Sequence, residues 1–174
     1  MSTPGTPRPT ALSLIAGLGP LVTLGLFLWL GFTVHGSAEP AADPADPVRA
    51  VLTEQVAAWN AGDLERFMRT YWQSDQLRFY SAGTVTSGWQ ATLDRYRKRY
   101  QADGKEMGTL TFAGLGVEML GQDVAMAHGR WKLDFAKSDE KPNGLFTLIL
   151  RKKPDGWKIV HDHTSAADPP KKSQ

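Results

Sequence analysis

The chain has 174 residues and a formal net charge of +2, from 20 Lys and Arg against 18 Asp and Glu. That length suits one domain with appendages, and so mild a balance lacks the clustered basic excess of nucleic-acid-binding domains. The absence of cysteine excludes disulfides, thiolate metal sites and a lipid anchor on an N-terminal cysteine.

From Thr10 to Val34 no residue is charged, a run roughly long enough to cross a bilayer as a helix. No polar face exists to meet water, so a soluble helix is disfavoured. Arg8 is the one basic residue before the run and none follows until Arg49. This bias places the N-terminus in the cytoplasm and the rest outside. Residues 1–36 are therefore read as a membrane anchor. A cleaved signal is the alternative, because Gly36 and Ala38 are small residues at cleavage spacing. The domain is then membrane-anchored and extracytoplasmic, or secreted or periplasmic after cleavage. Residues 37–46 form a Pro-rich linker, 47–166 the folded domain, and 167–174 a disordered tail.

Within the domain, Asp46 and Pro47 predict the start of a first helix. Val48, Val51, Leu52, Val56 and Trp59 fall on one face at helical spacing, and Gly62 ends the helix. Asp63 caps a short second helix with Leu64, Phe67, Met68 and Tyr71 inward. Leu77–Tyr80 and Val85–Thr86 read as strands around an Ala82-Gly83 turn. Ser87 caps a third helix from Trp89 to about Gln101, with Trp89, Leu93, Tyr96 and Tyr100 inward. Arg95, Arg97, Lys98 and Arg99 lie on its other faces, most simply as a solvated surface.

Four longer strands follow, over 109–120, 123–135, 144–152 and 157–165. Gly114 and Gly116 suggest a bulge in the first of them. The fold class is α+β. In the third long strand Phe146, Leu148 and Leu150 alternate with Leu145, Thr147 and Ile149, so both faces are largely apolar. Helices cover only one face of a sheet, and the other is expected to meet a second subunit in a homodimer. In the last strand the alternation puts Trp157, Ile159, His161 and His163 on one face and Lys158, Val160, Asp162 and Thr164 on the other. An apolar face ending in two imidazoles reads as a cavity floor.

Several segments carry a family resemblance. Trp59-Asn60-Ala61-Gly62-Asp63 resembles the break between the first two helices of the nuclear transport factor 2-like superfamily. Gly88-Trp89 opening a helix and Gly121-Gln122-Asp123-Val124-Ala125 at a hairpin resemble its SnoaL-like and ketosteroid isomerase-like branches. The run from Asp155 to Ser165 is similar to the closing strand of the calcium/calmodulin-dependent kinase II association domain. The resemblance covers about Val48 to Ser165. It implies a cystatin-like cone, in which a curved antiparallel sheet wraps three helices around a deep pocket, and usually a homodimer or larger oligomer. It does not imply one function, since such folds isomerise, cyclise, hydrolyse, or only bind and assemble.

The candidate chemistry is thin. Asp162 and His163 are the candidate acid–base pair, since a carboxylate tunes an imidazole for proton transfer. Neighbours on a strand face opposite ways, however, so only one of the two can be inward. Tyr71, Trp89, Tyr96, Arg130, Trp131 and His163 are the candidate ligand-binding residues: aromatic rings with polar tips, and a guanidinium able to hold a carboxylate. The resemblance offers precedent for an arginine in the cone. His128, His161 and His163 lack an acidic partner at ligand spacing, so no metal site is assigned. No nucleophile motif and no cofactor signature occurs. The expected function is binding of a small apolar or acidic molecule by a dimeric cone. The alternatives are an isomerase, cyclase or lyase using Asp162 or His163 as base, and a structural assembly module with a plugged cone.

Overall fold

In the computed structural model residues 42–167 are described. The expected anchor, most of the linker and the tail lie outside them. Among the described residues no helix is long and apolar enough to cross a membrane.

Helix α1 spans Asp46–Asn60. It starts at Asp46 itself, with Ala45 at the cap position and no side-chain cap. Asp43 and Asp46 instead both hold Arg49 Nη1, at 2.6 and 3.0 Å. Its buried face is Val48, Leu52, Gln55, Ala58 and Trp59. The spacing of 48, 52, 55 and 59 traces one stripe at helical period, and it includes a glutamine.

Gly62, with φ +73°, turns the chain out of α1. Asp63 then caps helix α2, Leu64–Met68, by accepting from the Arg66 backbone N–H at 2.8 Å. Strands β1 (Arg78–Ser81) and β2 (Thr84–Ser87) form a hairpin over Ala82-Gly83. Helix α3 spans Trp89–Tyr100. The expected Ser87 cap is displaced by one residue: Gly88 holds the position with φ +93°, and no side chain caps the helix.

The long strands are β3 (Thr109–Met119), β4 (Val124–Asp134), β5 (Asn143–Lys153) and β6 (Gly156–Thr164). The sheet order is β2-β1-β6-β5-β4-β3. All neighbours are antiparallel except β1 and β6, which run parallel with Phe79 opposite Asp162. The expected purely antiparallel sheet is thus corrected at that one joint. The parallel pairing follows from the long excursion between the two strands, which brings β6 back beside β1 in the same direction. Three helices on a curved six-stranded sheet give the expected α+β cone.

Two bulges bend the sheet. In β3 the register with β4 shifts between Ala113 and Gly116, where Gly114 has φ +60°. In β6 it shifts at Val160, because Leu150 pairs with Ile159 while Ile149 pairs with His161. An extra residue reverses the alternation beyond it. Ile159 and Asp162 therefore both face the helices, while His161 and His163 face away. The expected floor of two imidazoles is overturned for this reason.

The core gathers α1, α2 and α3 on the inner sheet face, with Leu52, Met68, Leu77, Leu150 and Ile159 all fully buried. The chain leaving α2 is tied to β6: Ile159 N–H donates to the Thr70 carbonyl at 3.0 Å, and Trp72 N–H donates to the Ile159 carbonyl at 2.9 Å. That clamp sets Tyr71 beside the end of β6.

Candidate functional site

Between the helices and the inner sheet face lies a cavity of about 520 Å³. Trp59, Phe67 and Tyr96 wall it from the helices, and Phe79, Phe112 and Phe146 from the sheet. The rings meet edge-on, as in Trp59–Phe67 at 5.1 Å and Phe67–Tyr96 at 5.3 Å between centroids, the arrangement that aromatic quadrupoles favour. Exposed residues also border the cavity, including Ala82, Gly83, Arg99 and Ser165. They mark its open end.

The inner wall of β4 explains how this space stays empty. Ala125 and Ala127 are small and buried under the helices, whereas Trp131 and Leu133 are large and line the cavity. Trp131 is pinned from outside by its Nε1, which donates to the Ser165 carbonyl at 2.9 Å. Across from it in β5 stands Gly144, where a Cβ would sit 1.9 Å from the Ser165 oxygen. Only glycine allows the chain after β6 to pass that closely.

Asp162 is the cavity's buried carboxylate, 3% exposed. The Tyr71 hydroxyl donates to its Oδ2 at 2.7 Å, and the Thr164 hydroxyl to its Oδ1 at 2.7 Å. Burial raises its pKa to about 6; the bonds from Thr164 and Tyr71 and the nearness of His163 pull the other way and lose. Desolvation outweighs two hydrogen bonds because the ionised form has no cation in contact. Burial, reinforced by the Asp162 charge, also pushes the Tyr71 and Tyr96 phenols well above their ordinary range. Both remain hydroxyl donors. A carboxylate poised near neutrality beside two phenols can hold or move a proton.

The candidate residues divide between the two faces of the sheet. Tyr71, Tyr96, Trp131 and Asp162 come together in the cavity. His163 borders it, but its exposed ring lies 5.9 Å from Tyr80 on the outer face. His161 is also outside, 4.9 Å from Tyr80, and burial followed by the nearby His163 lowers its pKa. Arg130 is exposed on the outer face of β4, where Nη1 donates to Asn143 Oδ1 at 3.1 Å. It faces away because it alternates with the inward Trp131. Trp89 ties α3 to α2 by donating from Nε1 to the Met68 carbonyl at 2.8 Å. Among the described residues no three ligating side chains gather to hold a metal ion.

Three lining residues escape a reading of the sequence alone. Arg95 and Arg99, assigned there to a solvated face, line the cavity. Arg95 lies over the Phe79 ring at 5.2 Å and Arg99 over Tyr100 at 5.4 Å. Gln55 lines it from α1; its place seven residues after Val48 and four before Trp59 was the available signal.

The sequence pattern of the SnoaL-like domain family matches residues 48–169. The chain belongs to this SnoaL-like family. A nuclear transport factor 2-like protein of unknown function from Shewanella oneidensis is 40% identical, with 71% of this chain and 99% of that one covered and a TM-score of 0.65. A putative calcium/calmodulin-dependent protein kinase type II association domain from Thiobacillus denitrificans is 20% identical, covering 69% and 94%, with a TM-score of 0.58. A cystatin-like fold protein of unknown function from Nostoc punctiforme is 10% identical, covering 71% and 90%, with a TM-score of 0.59. The last two share the fold alone with this SnoaL-like domain. No curated protein matches the chain.

Proposed function

We propose that this SnoaL-like domain binds a small, largely apolar molecule bearing an acidic group. The apolar body fills the aromatic interior, and the acid end meets Arg95 and Arg99. The observation that carries this reading is the cavity itself, about 520 Å³ with one open side. Ligand pockets span roughly 300–1,000 Å³ and combine apolar walls with a few convergent polar groups. The open cavity weighs against a plugged assembly module. The test is native mass spectrometry of the detergent-solubilised full-length protein, together with titration by anilinonaphthalene sulfonate, an apolar body with an anionic end. Saturable binding that weakens in Arg95→Gln and Arg99→Gln supports the reading. No co-purifying molecule and no saturable binding would overturn it.

A second reading, an isomerase, cyclase or lyase with Asp162 as general base, is favoured by the raised pKa of that carboxylate and by Tyr71 beside it. Its test is hydrogen–deuterium exchange at the carbon next to the carbonyl of a bicyclic ketone, followed by NMR. Exchange no faster with the protein than without it would remove this reading.

We also infer a homodimer formed through the outer sheet face, where Leu145 is 55% exposed. The uncharged run from Thr10 to Val34 supports an extracytoplasmic domain on a membrane tether or behind a cleaved signal. Protease accessibility in intact cells, with fractionation, separates these; a soluble product lacking the first residues would defeat the tether.

A further inference from the structure

Gln55 is 2% exposed on the α1 wall of the cavity. Among the described residues its Nε2 is the buried side-chain polar atom without a hydrogen-bond partner. A buried amide hydrogen left unmade is costly, so native structures leave few of them. Several of the other donors around the cavity already have partners. Trp59 Nε1 donates to the Met107 and Gly108 carbonyls, each at 3.1 Å. The Tyr71 and Thr164 hydroxyls are spent on Asp162, and Trp131 Nε1 on the Ser165 carbonyl. Gln55 has a hydrogen left to give.

We propose that Gln55 reads the ligand: its Nε2 donates to a neutral acceptor oxygen, such as a ketone or ester carbonyl, on the apolar body. This rests on the reading of the cavity as a ligand site and sharpens the class of molecule it takes. Charge decides that the acceptor is neutral. Asp162 shares the same buried space, and a second anion there would face a like charge at low dielectric. The acid end belongs near Arg95 and Arg99, and the carbonyl belongs inside. An unbranched hydrocarbon of the same shape leaves Gln55 unpaired and loses that contribution.

The test uses the full-length protein and two probes of one bicyclic frame, α-tetralone and tetralin, which differ by a carbonyl oxygen. Their dissociation constants are measured by calorimetry or ligand-detected NMR. The expected result is about fivefold tighter binding of α-tetralone, the worth of one neutral hydrogen bond. Gln55→Leu and Gln55→Met are expected to remove the preference by weakening α-tetralone alone. Equal affinities in the wild type, or a preference that survives both substitutions, overturn the role of Gln55 and leave the cavity reading intact. Failure of both probes to bind overturns this inference, and the cavity reading falls with it only if anilinonaphthalene sulfonate also fails to bind. If neither variant folds, the wild-type ratio decides.

Discussion

The Tyr71 hydroxyl reaches Asp162 Oδ2 at 2.7 Å although 91 residues separate them. The contact exists because Thr70 and Trp72 are hydrogen-bonded to Ile159 on either side of Tyr71, and because the Val160 bulge turns Asp162 to the same side. Tyr71 stabilises the ionised carboxylate, so its loss shifts Asp162 further up. Tyr71→Phe is expected to raise the Asp162 pKa above its value of about 6 and to cost about 1.5–3 kcal/mol of stability at neutral pH. Carbon-detected NMR titration and urea unfolding check the two effects; an unmoved Asp162 titration would refute the coupling.

Asp162 also makes stability depend on pH. Its folded pKa, about 6, lies above the ordinary value of 3.8. Below the lower value both states carry the proton and its contribution to stability is complete. As pH rises through this window the unfolded chain ionises first, and stability falls until the folded carboxyl has ionised too. The loss is about 2–3 kcal/mol. Asp162→Asn does not titrate and keeps a similar shape. Its stability relative to wild type should climb by that amount between about pH 3.5 and pH 7. Parallel unfolding curves at both pH values would contradict the assignment.

What the sequence shows and hides follows from where period-based reasoning holds. Amphipathic spacing locates α1 through Leu52 and Trp59, and simple strand alternation puts Ala125, Ala127, Trp131 and Leu133 on one face of β4. Both depend only on neighbours within one element. Asp162 and His163 exchange faces because Val160 bulges, and nothing in Ile159-Val160-His161 marks a bulge that is set by pairing with β5. Gln55 is hidden for a different reason: a polar residue on an apolar stripe reads as its edge until the packing shows it buried.

The unpaired Gln55 amide should weaken the ligand-free protein. Gln55→Leu replaces it with an apolar group of similar size and removes the unmet donor. Thermal unfolding of the empty protein is expected to show a gain of about 1–2 kcal/mol. A loss of stability would mean that the amide already has a partner in solution.

The proposed dimer has a simple test on β5. Leu145 is 55% exposed and pairs with Arg130, and Ile149 pairs with Met126 and His161 on the same outer face. Placing carboxylates there should separate subunits without touching the core. Sedimentation of Leu145→Glu with Ile149→Glu is expected to give the monomer mass with an unchanged circular dichroism spectrum. A mass that stays equal to that of the wild type would rule out this face.

Gly144 tests how the open end is built. A methyl there would fall 1.9 Å from the Ser165 oxygen, 2.8 Å from its carbonyl carbon and 2.9 Å from Ala166 Cα. All three are backbone atoms, so no rotamer change relieves the clash. The strand end must move, and two bonds move with it: Trp131 Nε1 to the Ser165 carbonyl, and Ser165 N–H to the Leu145 carbonyl. Gly144→Ala is expected to cost about 2–4 kcal/mol, from overpacking plus a lost indole bond. Because Trp131 lines the cavity, its freed ring should also change its fluorescence and the affinity for anilinonaphthalene sulfonate. Ala82, which follows Ser81 beside Thr164 at the same open end, is the control: Ala82→Gly relieves its φ of +50° and is expected to leave Trp131 undisturbed. Equal effects of the two substitutions on indole emission would show that the Ser165 contact does not hold Trp131 in place.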